Sequence, residues 1–250
     1  MSDPHALIPP PLTPAGAVDA TLAASGFAVV GPRDLLALAD VPLAALEAWR
    51  PFWERLPADA YLLDGGKYRQ RRHASFVVEG ERVAAMPHRP HWQPVDYNAL
   101  HGGLERHFEP IEPALAADPA WARLLAALAA RASALKGAQA WYVEAHPFRI
   151  DTASGIGRPT PEGAHRDGVD LVSVTLVGRR GIKGGESRVF QAQASAGLRF
   201  TLTEPWTTVL LDDARVIHET TPIQSLKAGE PGYRDTLVLT FRAGGFQDPT

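Results

Sequence analysis

The sequence contains no cysteine among its 250 residues, and this absence removes several kinds of chemistry. Disulfide bonds, thiolate zinc sites, iron–sulfur clusters and cysteine nucleophiles are all excluded. A metal site in this chain must therefore use histidine nitrogen and carboxylate oxygen. That donor set suits iron, manganese, zinc or copper.

The chain also lacks an excess of positive charge and any long apolar run. It carries 25 Lys and Arg against 28 Asp and Glu, for a formal net charge of −3. Nucleic-acid-binding faces are basic, so we expect no nucleic-acid partner. A spanning helix needs about 18 or more apolar residues in a row, so we expect no membrane partner. The first residues, MSDPHALIPPPLTPAG, do not resemble a signal peptide, and we expect a cytoplasmic protein.

Apolar spacing predicts a mainly helical first part of the chain. Helical periodicity and turn residues place the elements of this part. We predict helices at Asp19–Ser25, Arg33–Asp40 and Leu43–Leu56, a strand at Phe27–Val30, a hairpin over 67–87 that turns near Glu79 and Gly80, a loop over 88–103, and helix again over 104–136, most clearly at Pro119–Leu135.

The chain from residue 139 onward is mostly β in its pattern. The strand candidates are WYVEAHPFRI, DLVSVTLVG, SRVFQA, LRFTLT, TTVLLDDARVIHE and DTLVLTF. Many short strands separated by Gly, Pro and Asp turns are typical of a sandwich or barrel. We predict an α+β protein with a leader over 1–15 and a single domain over 16–250. Residues 16–138 would form a helical layer and hairpin, and residues 139–250 a β core.

The pair His165 and Asp167 is the strongest candidate for metal chemistry. A chain of this composition holds about half an H-x-D motif by chance, so the pair alone is a weak signal. It follows a Gly- and Pro-rich loop, however, and leads directly into a predicted strand. Side chains two positions apart in an extended segment point to the same side, so one metal ion could contact both.

A third ligand is available in His218, near the end of another apolar strand and 51 positions after Asp167. Two histidines and one carboxylate form the facial triad of non-haem iron(II) oxygenases, which leaves coordination positions open. The competing pair His107 and Glu109 lies in a segment that we predict to be helical. Residues two apart on a helix do not share a face, so this second pair is a poor chelate.

If a cosubstrate chelates the metal at one end and carries a carboxylate at the other, the protein needs a cationic side chain to bind that carboxylate. Arg234 lies 16 positions after His218, at the start of the strand DTLVLTF. Thr236 has the same strand parity, so the guanidinium and the hydroxyl can both face one carboxylate. Asp235, with the opposite parity, should face the other way.

These residues, with the segments PTPEGAHRDGVDLVSVTLVGRRGIKGGES, LLDDARVIHETTPI and GYRDTLVLTF, resemble the Fe(II)/2-oxoglutarate-dependent dioxygenase superfamily. The resemblance covers roughly residues 60–245 and is stronger to a bacterial branch with L-isoleucine 4-hydroxylase-like amino acid hydroxylases and BsmA-like biofilm proteins. It implies a double-stranded β-helix core (jelly-roll, cupin-like) with a flanking N-terminal helical layer. It also implies Fe(II) held by His165, Asp167 and His218 as the catalytic centre.

The same resemblance implies the reaction. 2-Oxoglutarate would be bound by Arg234 and Thr236, and with O2 would be decarboxylated oxidatively to succinate and CO2 while a C–H bond is hydroxylated. The substrate would be a free amino acid or a similar small polar molecule. Related halogenases replace the metal-binding carboxylate with a small residue, and Asp167 is present, so hydroxylation is expected.

Several residues are candidates for contact with the substrate. Tyr142 and His146 share one face of a predicted strand, with Glu144 between them. The arginines that could bind a substrate carboxylate through a bidentate pair are Arg69, Arg71, Arg72 and Arg149. If the parity of the triad continues into the next strand, Ser173 and Thr175 face the barrel interior and Val174 does not.

Two other functions stay open on the sequence alone. The chain could be a non-catalytic, cupin-like protein that binds a metal or small molecule in a stress or biofilm response. It could also be a zinc or manganese isomerase on the same barrel, which would not need Arg234. The substrate, the carbon attacked and the oligomeric state stay open as well, a homodimer being one option.

Overall fold

In the computed structural model the described residues are 7–97, 102–194 and 196–249. The helices are α1 Val18–Ser25, α2 Pro32–Ala39, α3 Leu43–Glu47, α4 Arg50–Trp53, α5 Pro113–Ala116 and α6 Pro119–Lys136. The strands are β1 Phe27–Val30, β2 Arg69–Arg71, β3 Ala74–Glu79, β4 Arg82–Ala85, β5 Trp141–Asp151, β6 Leu171–Arg180, β7 Ile182–Gly184, β8 Glu186–Gln191, β9 Gly197–Thr201, β10 Thr208–Asp212, β11 Val216–Thr220, β12 Ile223–Ser225 and β13 Tyr233–Ala243.

These strands form two facing layers. The larger layer is an eight-stranded sheet in the order β1-β10-β6-β13-β5-β3-β4, with β2 paired to β5. The smaller layer consists of β11-β8-β9 and the pair β12-β7. Every strand pair in these sheets is antiparallel. The predicted double-stranded β-helix, or jelly roll, with helices on one side is confirmed.

The long central strands bury both of their faces, and the two faces have different partners. On β13, Leu237, Leu239 and Phe241 join the main hydrophobic core, which includes Trp121 and Leu128 of α6. The alternate residues of β13 point between the two sheets. The helical layer therefore covers the outside of the large sheet and leaves its inner face for a cavity.

The first part of the chain is joined to the sheet at several points. Trp53 of α4 donates its indole N–H to the carbonyl of Thr236 on β13, at 3.1 Å. In the predicted leader, the backbone N–H of Thr13 donates to Val29 and the carbonyl of Ile8 accepts from Thr201. β1 to β4 all belong to the large sheet. The domain bounds stay a prediction, but the large sheet contains strands from both sides of residue 138.

Most predicted elements are present, including the helix that ends at Gly26, where φ is +78°, and the hairpin predicted to turn near Glu79 and Gly80, whose turn residues are Gly80 and Glu81. The single helix over Leu43–Leu56 is wrong, because the segment divides into α3 and α4, with Pro51 in the first turn of α4. The predicted strand TTVLLDDARVIHE is likewise two strands, β10 and β11, separated by a turn.

Helix over 104–112 is also wrong. Arg106 forms a β-bridge with His91, and Pro110 forms one with His73, so this segment is extended where it meets the sheet. The helices begin only at Pro113 and Pro119, since proline is favoured in a first turn and disfavoured inside a helix. The loop predicted over 88–103 is irregular as far as it is described, and residues 98–101 lie outside the described residues.

The predicted orientation of β6 is reversed. Val174 lines the cavity between the sheets, whereas the hydroxyl of Thr175 lies 2.8 Å from that of Thr208 on the neighbouring strand. Ser173, on the same face as Thr175, is fully buried and does not line the cavity. Gly168, with φ at +75°, turns the backbone between the H-x-D motif and β6, so side-chain parity does not carry across it.

None of the helices in the described residues is both long and apolar enough to span a lipid bilayer.

The joint core of helices and sheet leads to a test of stability. Leu128 of α6 is 1% exposed in the main core, so Leu128→Ala should lower the free energy of unfolding by about 2–5 kcal/mol. Leu226, which is 62% exposed, is the matched control, and Leu226→Ala should change stability by less than about 0.5 kcal/mol. Urea unfolding followed by circular dichroism measures both. Equal stability of the two variants would contradict the packing described here.

Candidate functional site

A cavity of about 130 Å³ lies between the two sheets, and polar side chains line most of it. At one side it is bounded by His165, Asp167 and His218. Arg234 and Thr236 of β13 also line it, as do charged residues of β2 and β5. The strand alternation of β13 thus brings the predicted cosubstrate residues into the same cavity as the predicted metal ligands.

His165, Asp167 and His218 form a group whose donor atoms all lie within 4.8 Å of one another. One carboxylate oxygen of Asp167 is 3.9 Å from Nε2 of His165, and the other is 3.7 Å from Nε2 of His218. These distances are too long for hydrogen bonds. They suit an ion between the donors, because transition metals bind such ligands at about 2.0–2.2 Å.

The two histidines are held together by their backbones. The N–H of His165 donates to the carbonyl of His218, and the N–H of His218 donates back, both at 3.0 Å. Nδ1 of His165 lies 2.9 Å from the carbonyl oxygen of Gly163. Because a carbonyl can only accept, Nδ1 carries the proton and Nε2 presents its lone pair to the site.

The electrostatic surroundings of the two histidines differ. Burial lowers the pKa of His165, but the nearby carboxylates of Asp167 and Glu162 outweigh burial, and the pKa is raised above its usual value. Burial, with a smaller contribution from His165, lowers the pKa of His218 well below its usual value. The carboxylates of Asp167 and Glu162 favour a positive charge on His165. A metal cation between the rings of His165 and His218 would supply that positive charge in place of a proton.

Asp213 supports the H-x-D turn and was missed by sequence reasoning. Its carboxylate accepts three backbone N–H groups, from Asp167 at 3.0 Å, Gly168 at 2.7 Å and Val169 at 3.1 Å. Burial and the charge of Asp167 raise the pKa of Asp213 to about 6, against the lowering effect of these hydrogen bonds. The only sequence signal is the Asp212–Asp213 pair that precedes the strand of His218.

Loop residues complete the surroundings of Asp167, and sequence reasoning missed these too. The side-chain amide of Gln93 donates to Asp167 at 3.3 Å, and its oxygen accepts from Arg106 at 2.9 Å. The amide of Gln247 donates to the backbone carbonyls of Asp167 and Gly168. No periodicity marks Gln93 or Gln247, because both lie outside the regular elements.

Arg234 is a buried cation whose charge is not balanced nearby. Within the described part of the chain, its Nε and one terminal nitrogen have no hydrogen-bond partner. Burial, and then repulsion from Arg179, lower its pKa to about 10. The adjacent Asp235 points away from the cavity and is bound by Arg149 through two hydrogen bonds of 2.7 Å. A buried guanidinium with unused donors is a site for an anion.

A second group of possible ligands lies deeper in the protein: His73, His91, Glu144 and His146, also within 4.8 Å of one another. Here the carboxylate of Glu144 already lies 3.2 Å from His73 and 3.1 Å from His91. A guanidinium nitrogen of Arg71 is 2.7 Å from Nδ1 of His146. A guanidinium so close to a ligand repels a metal ion, so this group reads as a hydrogen-bonded network.

The substrate candidates from the sequence fall into two sets. Arg69, Arg71 and His146 line the cavity. Tyr142 does not, and its ring packs against Phe246. Arg149 also does not, since the alternation of β5 turns it toward Asp235 on the outer face.

The arginine Arg72 likewise points outward, where it forms an ion pair with Glu109. His107 and Glu109, the pair rejected as a chelate, are both exposed. The reason given for the rejection, that they lie in a helix, is wrong, because this segment is not helical. The two residues belong to neither of the two possible metal-binding groups in the described residues.

Several solved structures are similar to this chain in overall fold. A crystal structure of a BsmA homologue from Methylobium petroleophilum is 48% identical, with a TM-score of 0.91, and the match covers 98% of this chain and 100% of that one. The protein IDO from Bacillus thuringiensis is 16% identical with a TM-score of 0.72, over 94% of this chain and 97% of that one. The Fe(II)/α-ketoglutarate-dependent dioxygenase TqaL is 18% identical with a TM-score of 0.68, over 94% and 90%.

The last two similarities show the fold alone. No curated protein matches the sequence. The family model for 2OG-Fe dioxygenases matches residues 50–240, which include every residue of the triad as well as Arg234. Members of that family use Fe(II), 2-oxoglutarate and O2, and the cavity contains a group of side chains that could hold a metal ion as well as a buried cation with unused donors. The chain therefore belongs to the 2OG-Fe dioxygenase family and is an oxygenase.

Proposed function

We propose that this oxygenase hydroxylates a free amino acid or a similar small polar molecule, with Fe(II) held by His165, Asp167 and His218. The observation that carries the proposal is the convergence of these three donors in one cavity with Arg234. Two neutral imidazoles and one carboxylate are the ligand set of non-haem iron oxygenases.

The neighbours of the triad fix its orientation. The carbonyl of Gly163 holds the His165 ring with Nε2 toward the site, and the amide of Gln93 holds one carboxylate oxygen of Asp167. Asp213 fixes the backbone that carries Asp167. Such outer contacts set the direction of a ligand's lone pair and thereby raise metal affinity.

Arg234 would bind the distal carboxylate of 2-oxoglutarate, and Thr236 would add a hydroxyl from the same face of β13. The unused donors of Arg234 favour a carboxylate, because a bidentate pair satisfies two of them at once. Its burial strengthens this pairing, since little water competes for the charge.

When bound, the iron supplies oxygen activation, coupled to oxidative decarboxylation of 2-oxoglutarate to succinate and CO2. The chain's residues contribute orientation and exclusion of water. Val174 and Val238 give the cavity apolar walls on β6 and β13, and Phe148 and Ile150 do so on β5. Apolar walls limit solvent access to a reactive centre.

The small volume of the cavity and its charged lining support a small polar substrate over a polymer. A non-catalytic role in a stress or biofilm response is less well supported, because the family is one of oxygenases and Asp167 is present. A cytoplasmic location stays a prediction.

The first test removes a metal ligand. His165→Ala should abolish iron-dependent conversion of 2-oxoglutarate to succinate and leave the far-ultraviolet circular dichroism spectrum unchanged. His107→Ala is the matched control, because this exposed histidine also belongs to an H-x-acid pair. Succinate release by chromatography measures activity. A His165→Ala protein that turns over as fast as the control would exclude His165 as a ligand.

The second test concerns Asp213, which holds the backbone turn that carries Asp167. Asp213→Ala leaves three backbone N–H groups without their acceptor, so Mn(II) affinity should fall about 10- to 100-fold. Isothermal calorimetry with Mn(II) in place of Fe(II) measures this. Asp151→Ala, which also removes an acceptor of one backbone N–H but at a residue that does not line the cavity, should bind Mn(II) normally. Unchanged affinity in Asp213→Ala would remove its supporting role.

The third test concerns the cosubstrate. Arg234→Ala should raise the KM for 2-oxoglutarate about 30-fold or more, because a buried charged partner is lost. The KM of Arg234→Lys should lie between that of Arg234→Ala and that of the unaltered chain, since lysine keeps the charge but not the forked geometry. The exposed Arg199 is the control for general charge, through Arg199→Ala. An unchanged KM in Arg234→Ala would favour an enzyme that does not bind a dicarboxylate there.

A further inference from the structure

Three arginines line the cavity in addition to Arg234, and all three are almost fully buried. These are Arg69, Arg71 and Arg106. Each has at least one guanidinium nitrogen without a hydrogen-bond partner in the described ranges. Buried donors without partners are rare in folded proteins and call for a bound group that accepts from them.

The carboxylates near these arginines do not balance their charge. Asp59 is bound to Arg69 at 2.7 Å. Glu144 lies against His73 and His91, with Arg89 at 3.6 Å. Over the residues that the structure describes, no ion pair joins either Arg71 or Arg106 to a carboxylate. Asp59 and Glu144 act on both cations only from a longer distance, so Arg71 and Arg106 are the part of the cluster without a direct carboxylate partner in the described residues.

The nearby imidazoles carry no negative charge that could balance Arg71 and Arg106. Of these two arginines, only Arg71 donates a hydrogen bond to one of the imidazoles in the described residues, that of His146. Burial, and then the charge of Arg71, lower the pKa of His146 well below its usual value, so that ring is neutral. Its Nδ1 accepts from Arg71 at 2.7 Å. Burial, and then repulsion from Arg69, lower the pKa of Arg71 well below its usual value, although the charges of Asp59 and Glu144 act in the opposite direction.

Arg71 and Arg106 are held rigidly toward the cavity. The guanidinium of Arg71 lies between two rings, 3.8 Å from the centroid of Phe108 and 4.3 Å from that of Phe148. Arg106 is linked through Gln93 to the carboxylate of Asp167. Gln93 is thus the side chain that connects Arg106 to Asp167. A ligand bound by Arg106 would therefore lie close to the group formed by His165, Asp167 and His218.

Resting on the function proposed above, we infer that the prime substrate is a small carboxylic acid whose carboxylate is bound jointly by Arg71 and Arg106. This site is separate from Arg234, which lies on β13 and would hold 2-oxoglutarate. The substrate would then be oriented by its carboxylate at one end, and its C–H bonds would extend toward His165, Asp167 and His218. The site admits a free amino acid or an acid without the amino group.

The test measures binding to the protein loaded with Mn(II) and 2-oxoglutarate. Calorimetry first establishes that both bind; failure at this step contradicts the proposed function. The loaded protein is then heated with each of the proteinogenic L-amino acids, with their carboxamides, and with the matching acids that lack the amino group. A ligand that binds only the folded state raises Tm, and the stabilisation grows with the logarithm of one plus the ratio of the free ligand concentration to Kd.

We expect at least one acid to raise Tm and its carboxamide not to do so. Comparison with the acid that lacks the amino group decides between an amino acid and a simple carboxylic acid. Arg71→Gln and Arg106→Gln should each weaken binding of that acid about 30-fold or more, while 2-oxoglutarate affinity stays normal. Normal 2-oxoglutarate affinity also shows that the variant is folded at the site.

Arg72→Gln is the matched control, because Arg72 is next to Arg71 in the chain but pairs with Glu109 outside the cavity. It should bind the acid as the unaltered chain does. The inference is overturned if a carboxamide binds as well as its acid, or if both glutamine variants keep full affinity. It is also overturned if no acid raises Tm although Mn(II) and 2-oxoglutarate bind.

Discussion

The two backbone hydrogen bonds between His165 and His218 are the contact on which the site depends. They join the loop after β5 to β11 of the small layer, and so close the jelly roll at the point where the three donors meet. Asp213 then fixes the backbone of Asp167 and its neighbours through three further hydrogen bonds. The positions of the three donors are thus fixed through their main-chain N–H groups, by the backbone of the opposite histidine and by the buried carboxylate of Asp213.

The charges around the cavity divide it into three regions. The triad carries one carboxylate between two imidazoles, Arg234 is a buried cation on β13, and Arg71 and Arg106 form a second cationic region. In the proposed function each region binds a partner of opposite charge: a metal ion, a dicarboxylate cosubstrate and an acidic substrate. A site so arranged would bind three components of one reaction and hold them close together.

The parts that the sequence predicts well are those that depend on local alternation. Arg234 and Thr236 face the cavity because strand parity holds along β13, and Asp235 faces away for the same reason. The side-chain direction of Val174 was missed because Gly168 turns the backbone before β6. Gln93, Arg106 and Asp213 were missed because their roles depend on contacts between segments far apart in the chain. Likewise, the extended path of 104–112 follows from its bridges to His73 and His91, which no local pattern reveals.

We propose that the metal lies among His165, Asp167 and His218 and not in the deeper histidine cluster. The direct measurement is anomalous X-ray diffraction from crystals grown with Mn(II) and 2-oxoglutarate. We expect a single strong peak between Nε2 of His165, Nε2 of His218 and the carboxylate of Asp167, with a cosubstrate carboxylate on Arg234. A peak among His73, His91, Glu144 and His146 in place of the triad would contradict it.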